Sequence, residues 1–283
     1  MRIDSHQHFW RFHPVRDAWI TADMSVLRRD FLPDDLAPEL AANGIDATIA
    51  VQADQSEDET TFLLDLAARH KFIAGVVGWV DLRADDLEDR LRRWSEHPQL
   101  VGFRHIAQAE PDDGFLARRE FVQGVSKLKD FGFTYDLLVY PRQLPAAIEL
   151  VSHLPEQRFV LDHIAKPPIR SAEQKPWCDH IRELARNPNV CCKLSGIVTE
   201  ADWQRWTPAQ CKPYLDLVFE AFGPDRLMFG SDWPVCLLAA NYRRVVELIS
   251  EYIAHHAPAA SAKIFGENAL GFYGVNKAAW TCN

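Results

Sequence analysis

A single α/β domain folded as a (β/α)8 barrel of the TIM type is the fold class that the sequence predicts. Three observations carry it. Eight short β-branched or aromatic runs are spaced along the chain, most of them nearly continuous and apolar, as parallel strands covered on both faces require. Amphipathic stretches of helical period separate most of them, the pattern of repeated βα units, and eight such units close a barrel. No G-x-G-x-x-G follows the first run, although an open doubly wound sheet would carry that cue. The 283 residues suit one barrel of about 250 residues, so residues 1–283 are expected to be one domain.

The strands are expected at residues 2–5, 47–52, 73–80, 100–104, 134–139, 158–162, 190–194 and 226–230. The helix at 57–70 has acids in its first turn and Arg69 and His70 in its last, which complements the helix dipole. The helix at 84–96 sets Leu87, Leu91 and Trp94 on one stripe. A helix at 118–131 is stopped by Gly132, a natural left-handed cap. The helix at 141–154 opens on a proline, which suits a first turn. Further helices are expected at 172–186, 208–222 and 238–255, with a terminal one at 259–273. Residues 9–33 are long for a loop and carry Trp10 and Trp19, so they are expected to form a lid or wall beside the site.

Composition narrows the function. Hydrophobic residues are 47% and charged residues 25%, which excludes a disordered chain. The net charge of −9 argues against general nucleic-acid binding, which neutralises phosphates. No run of about 18 apolar residues exists for a membrane span. The start, Met1-Arg2-Ile3-Asp4-Ser5-His6, has acid and histidine where a signal peptide needs an apolar stretch, so a cytoplasmic protein is expected. The six cysteines, Cys178, Cys191, Cys192, Cys211, Cys236 and Cys282, form no C-x-x-C pair and are expected to be structural thiols.

In a barrel the chemistry sits at the C-terminal strand ends. Strand one ends in His6-Gln7-His8. Residues two apart on a strand share a face, so both imidazoles are either metal ligands or hydrogen-bonded polar residues at a strand end. Strand six ends in Asp162-His163, followed by Lys166. His163 is a candidate to ligate a metal, polarise a carbonyl or shuttle a proton. Asp232 follows strand eight, either as a general base for water or as a turn acid before Pro234. Arg104 and His105 end strand four, with Arg104 the best cation for an anionic or polyhydroxylated ligand. Trp79 after strand three stacks on a sugar ring or simply packs. Strand seven offers Lys193 and Ser195, with Gly196 admitting close backbone approach; Asp136 and Tyr140 near strand five are weaker candidates. No G-x-S-x-G or Walker loop occurs, so hydrolysis by activated water fits better than covalent catalysis.

The motifs D-S-H-Q-H-F-W, G-F-R-H, L-D-H-I-A-K-P, K-L-S-G and F-G-S-D-W-P-V stand in that order along the chain. Together they resemble the amidohydrolase superfamily, and within it the branch of sugar-lactone hydrolases and pyrone-dicarboxylate lactonases. The resemblance implies a distorted (β/α)8 barrel. It also implies a lactonase that opens a sugar-acid lactone, L-fuconolactone or a similar aldonolactone, by water attack on the ester carbonyl. By motif, His6, His8, His163 and Asp232 correspond to catalytic positions, and Arg104, His105, Lys166 and Trp79 are expected to hold the substrate. Strand four lacks the bridging Lys or Glu of many members and strand five lacks a histidine, so no binuclear centre is expected. One divalent ion, zinc, on His6, His8 and Asp232 is the expected cofactor. The alternative is metal-free catalysis with His6, His8, His163 and Arg104 polarising the carbonyl. The expected partner is a small-molecule sugar lactone, with neither nucleic acid nor membrane. A metal-dependent decarboxylase of the same superfamily and a non-catalytic sugar-acid binder are the competing functions.

Overall fold

The computed structural model describes residues 1–275. Eight parallel strands pair in chain order: β1 Ile3–Gln7, β2 Ala47–Val51, β3 Ile73–Gly78, β4 Leu100–His105, β5 Thr134–Leu137, β6 Phe159–Leu161, β7 Val190–Leu194 and β8 Leu227–Phe229. The result is a distorted, nearly closed (β/α)8 barrel. Between β8 and β1 the ladder is reduced to a bridge, Gln7 opposite Trp233. Side chains complete this seam. Ser5 Oγ donates to the Phe229 carbonyl at 2.6 Å, and Asp4 Oδ1 accepts the Ser231 N–H at 2.9 Å. Every strand residue except Cys191 is buried, as strands covered on both faces must be.

Nine α-helices are found among the described residues. Helices α2 (Glu57–Arg69), α3 (Leu87–Trp94), α5 (Leu144–His153), α7 (Pro208–Phe222) and α8 (Tyr242–His256) occupy expected stretches. The first helix, α1 (Pro33–Ala42), had no counterpart in the sequence reading. Pro38 in its second turn masks it, because an interior proline normally ends a helix. Its N-terminus is nonetheless closed by Asp35, whose Oδ2 accepts the Leu32 N–H at 2.9 Å. The expected 118–131 helix divides into α4 (Arg119–Ser126) and a 3-10 turn, with Gly132 left-handed at φ 78. Helix α6 (Trp177–Ala185) starts only after Pro176, since a proline disfavours helical backbone just before it. The terminal stretch becomes a π-turn followed by α9 (Asn268–Tyr273), which caps the inner apolar layer of Ile49, Val77, Val160 and Met228. Five of the cysteines are free thiols; Cys282 lies outside the described residues.

Residues 9–33 form a wall. Trp10 and Phe31 exchange backbone hydrogen bonds of 3.0 and 2.9 Å, and both are buried, so the loop between them is closed at its base. Among the described residues, no helix is long and apolar enough to cross a membrane.

The loop also brings a charge toward the start of α2. Arg16 pairs with Asp17 at 2.8 Å and faces Glu59, whose Oε1 accepts the Ala53 N–H at 3.1 Å. Burial, against the pull of that N–H and of Arg16, pushes the Glu59 carboxyl up to about 7. The folded chain therefore keeps a proton that the unfolded chain loses above its ordinary value of 4.5. The stability tied to this group is intact below that value and lost as pH climbs through about 7, on the order of 3 kcal/mol. Glu59→Gln keeps the acceptor and abolishes the ionisation. Urea unfolding is expected to show a smaller fall in stability from about pH 5 to about pH 8 in the variant than in the wild type; equal falls would remove Glu59 as the source.

Candidate active site

A cavity of about 470 Å³ opens at the C-terminal ends of the strands, where this architecture places its chemistry. His8, Arg104, His163 and Asp232 reach it from four strand ends, and Trp10, Trp19 and Met24 wall it from the 9–33 loop. A second concavity of about 410 Å³ lies outside the barrel, lined by Leu64 and Trp94; none of the candidate catalytic, metal or substrate-binding residues lines it.

Three imidazoles and one carboxylate converge. His6 Nε2 and His8 Nε2 are 3.1 Å apart. Asp232 Oδ1 lies 3.4 Å from His8 Nε2 and 3.9 Å from both His6 Nε2 and His163 Nε2. The rings of His6 and His163 meet edge to face at 4.3 Å. Burial pushes the His6 and His163 imidazoles well below their usual range, so both are neutral at pH 7. Burial alone would raise Asp232, but His163, the His8 hydrogen bond and the Lys166 charge hold its carboxyl down at about 2. Since His163 is itself neutralised by burial, the persistent charge partner of ionised Asp232 at neutral pH is Lys166.

Beneath this cluster runs a buried charge network. Asp162 receives Arg104 Nη1 at 3.0 Å and Lys193 Nζ at 3.0 Å, and its Oδ1 is 3.2 Å from His6 Nδ1. Burial opposes ionisation of Asp162, yet Lys193, His6 and Arg104 outweigh it and hold the carboxyl well below the usual range. Lys193 also contacts Asp136, which accepts from Tyr273 of α9 at 2.9 Å.

The backbone that presents His163 is unusual. His163, Ile164, Ala165 and Lys166 all have positive φ, at 53, 48, 59 and 47°, a left-handed turn that ordinarily costs roughly 1–2 kcal/mol per residue. It lets both His163 and Lys166 face the cavity. The ring of His163 then lies against Gly196, where an added Cβ would sit 2.6 Å from Nδ1. Gly196 also has φ +57, so glycine is required there on two grounds. Ser195 Oγ completes the seat at 2.9 Å from His163 Nδ1.

Of the eight residues named from the sequence, His6, His8, His163, Asp232, Arg104 and Lys166 are brought together. Trp79 and His105 do not line the cavity. His105 stacks on Phe115 at 4.9 Å and pairs with Glu110 at 2.7 Å; strand alternation turns it away once Arg104 points inward. The backbone N–H of Trp79 donates to Thr60 Oγ1 of α2 at 2.8 Å, and its indole Nε1–H is directed at His105 Nδ1 at 3.4 Å. Arg104 itself is no free fork, since its guanidinium is engaged by Gln52 and Asp162. Gln108, Glu200 and Trp203 of the cavity wall went unnoticed. They lie on loops past the strand ends and carry no local signal.

The donor set fits a divalent metal. His6, His8 and Asp232 each offer one ligand atom, all within 4.8 Å of one another. Two nitrogens on tetrahedral zinc at roughly 2.0–2.1 Å stand about 3.3 Å apart, close to the observed imidazole spacing. His8 Nδ1 donates to the Val51 carbonyl at 2.7 Å, which leaves Nε2 its lone pair, and His6 Nδ1 has the carboxylate neighbour that metal-bound imidazoles usually carry. Asp232 Oδ2 is buried with no hydrogen-bond partner, as an oxygen kept for a ligand would be.

Comparison with known proteins places the chain. The amidohydrolase family model matches residues 3–275. L-fucono-1,5-lactonase of Burkholderia multivorans is 45% identical, with 97% of this chain and 96% of that protein aligned. L-fucono-1,5-lactonase of Burkholderia ambifaria is 37% identical, with 98% and 96% aligned. A crystal structure of an amidohydrolase from Burkholderia multivorans with bound zinc superposes with a TM-score of 0.94 at 44% identity, covering 98% of this chain and all of that one. Matched along almost its entire length by both the family model and these relatives, the chain belongs to the amidohydrolase family.

Proposed function

We propose that this chain is a lactonase that opens L-fucono-1,5-lactone or a similar aldonolactone by water attack on the ester carbonyl, with residues 1–283 acting as one domain. The observation that carries the reading is the ionised Asp232 at the cavity floor, within 3.9 Å of nitrogens from His6, His8 and His163. The lactonase activity of the relatives supports it. Asp232 takes a proton from water as the oxygen bonds to the carbonyl carbon. The electron pair moves to the carbonyl oxygen, which His163 Nε2–H stabilises as a neutral donor, with Ser195 Oγ–H donating to Nδ1. Collapse breaks the bond to the ring oxygen, and the proton on Asp232 passes to it, leaving the hydroxy acid. Lys166 holds substrate hydroxyls, while Arg104 adds positive charge at the floor without releasing Asp162. A zinc ion on His6, His8 and Asp232 would supply Lewis-acid polarisation of the carbonyl and acidify water.

Asp232→Asn and His163→Asn are each expected to lower kcat on an aldono-1,5-lactone by about 10²- to 10⁴-fold with an unchanged circular dichroism spectrum. Wild-type rates in both would end this assignment. Gly196→Ala tests the His163 seat without touching the imidazole. Displacing the ring is expected to cost on the order of 10² in kcat, and a variant as fast as wild type would show that the close approach is not needed. Dialysis against a chelator is expected to abolish most of the activity, with recovery at about one zinc per chain. Full activity in metal-free protein would leave the polarisation to the imidazoles and Arg104. Release of carbon dioxide in place of acid would turn the reading to a decarboxylase.

A further inference from the structure

We infer that the cavity reads the hydroxyl groups of its substrate through Gln108 on one wall and the Lys166–Glu200 pair on another, so that Gln108 and Glu200 set a preference for polyhydroxylated over bare lactones. This rests on the lactonase reading above and names the chemistry of recognition at the same site.

The reacting atoms alone do not discriminate. The carbonyl and ring oxygen at the floor are common to a sugar lactone and to an unsubstituted one. Much of the wall is apolar, with Trp203, Val235 and Leu238 among its residues, and an apolar wall neither selects nor strongly rejects a hydroxyl. Besides Tyr140 and Thr199, two polar features interrupt it. Gln108 stands on the 3-10 turn after β4, and its Nε2 is shielded from solvent with no acceptor among the described residues. The turn itself is fastened. Ile106 N–H donates to Gln55 Oε1 at 2.8 Å, and the Ala107 carbonyl accepts from Gln143 at 2.7 Å. The backbone that carries Gln108 is therefore held in the wall, and its unpaired amide lacks an acceptor that a ligand oxygen would supply.

The second feature is the Lys166–Glu200 pair, joined at 3.0 Å with side chains 15% and 23% exposed. The left-handed turn that seats His163 also delivers Lys166. An ammonium has three donors, of which Glu200 Oε1 occupies one. Glu200 Oε2 accepts no hydrogen bond among the described residues, while Oε1 lies 3.5 Å from Thr199 Oγ1. The pair thus offers spare donors beside a spare acceptor. Each sugar hydroxyl is both donor and acceptor, so adjacent hydroxyls match the pair, and a ring without them leaves it unsatisfied. Leaving such groups unpaired is the strongest device a pocket has for rejecting an analogue that lacks a hydroxyl.

The test compares L-fucono-1,5-lactone with δ-valerolactone, the six-membered lactone without hydroxyls, after subtraction of spontaneous hydrolysis. Wild type is expected to prefer the hydroxylated lactone by about 10²-fold or more in kcat/KM; a rate on δ-valerolactone below detection counts as preference. Glu200→Gln and Gln108→Ala are each expected to raise KM for the hydroxylated lactone about tenfold with a much smaller change in kcat, and to shrink the preference where both rates are measurable. Equal wild-type efficiency on both lactones overturns the inference while leaving the lactonase reading intact. So does an unchanged KM in both variants, or a loss confined to kcat. Should one variant fail to fold, the other decides alone. Failure of wild type on both lactones removes the lactonase reading, and this inference with it.

Discussion

The carboxylate of Asp162 is the point on which the barrel interior depends. It is fully buried, yet it receives Arg104 from β4, Lys193 from β7 and His6 from β1. Any one of these charges alone in the core would be strongly unfavourable, and removing one partner from such a set typically costs about 3–5 kcal/mol. Together with Asp136, which Lys193 also binds, two cations face two carboxylates in the space the strands enclose. The two acids do not share this equally. Burial pushes Asp136 up to about 6, while Lys193, His6 and Arg104 keep Asp162 ionised. The network therefore places its firmest negative charge directly beneath His6 and ties strands β1, β4, β6 and β7 to a common polar centre. Tyr273 extends it to α9, so the helix that caps the inner apolar layer also helps satisfy the buried ions.

Above that centre, each imidazole is held by a different device. His6 is held by Asp162 and Lys193, His8 by the Val51 carbonyl, and His163 by Ser195 and the contour of Gly196. A run of four left-handed residues is unfavourable locally, and it persists because the surroundings over-determine it. Ile164 and Ala165 within the run are fully buried, and the Ile164 carbonyl accepts the Trp177 indole N–H at 2.8 Å. The strain brings a buried imidazole and a lysine to the same cavity from one short segment, an arrangement regular backbone does not provide.

Much of this was legible in the sequence, and what was not has a physical cause. The sequence located all eight strands, most of them because burial on both faces leaves nearly continuous apolar runs, whereas β1 is buried although most of its residues are polar. Reading only strand ends put His6, His8, His163 and Asp232 on a longer list of candidates, and the motif order that resembles the amidohydrolase superfamily then singled them out. His105 was misjudged although the signal was present: it follows Arg104 directly, and neighbours on a strand face opposite ways. Trp79 lies off the cavity with no local signal for it, its amide held by Thr60, 19 residues away, and its indole turned to His105. Helix α1 was lost behind Pro38. Glu200 reaches the cavity through a loop six residues beyond the end of β7, and nothing local distinguishes it from a surface acid.

A serine hydrogen-bonded to a histidine at 2.9 Å invites another reading, with Ser195 as nucleophile and His163 as its base. The geometry argues against it. Ser195 is only 1% exposed and is absent from the cavity lining, whereas His163 faces the cavity. The serine binds Nδ1, while Nε2 is the nitrogen directed at Asp232. Gly196, pressed against the ring beside Ser195, leaves no room for a substrate carbonyl to approach from that side. Ser195 is therefore suited to orienting the imidazole and fixing which nitrogen carries the proton. The group with both access to the cavity and a free basic oxygen is Asp232, and under the proposed reading that oxygen acts on water.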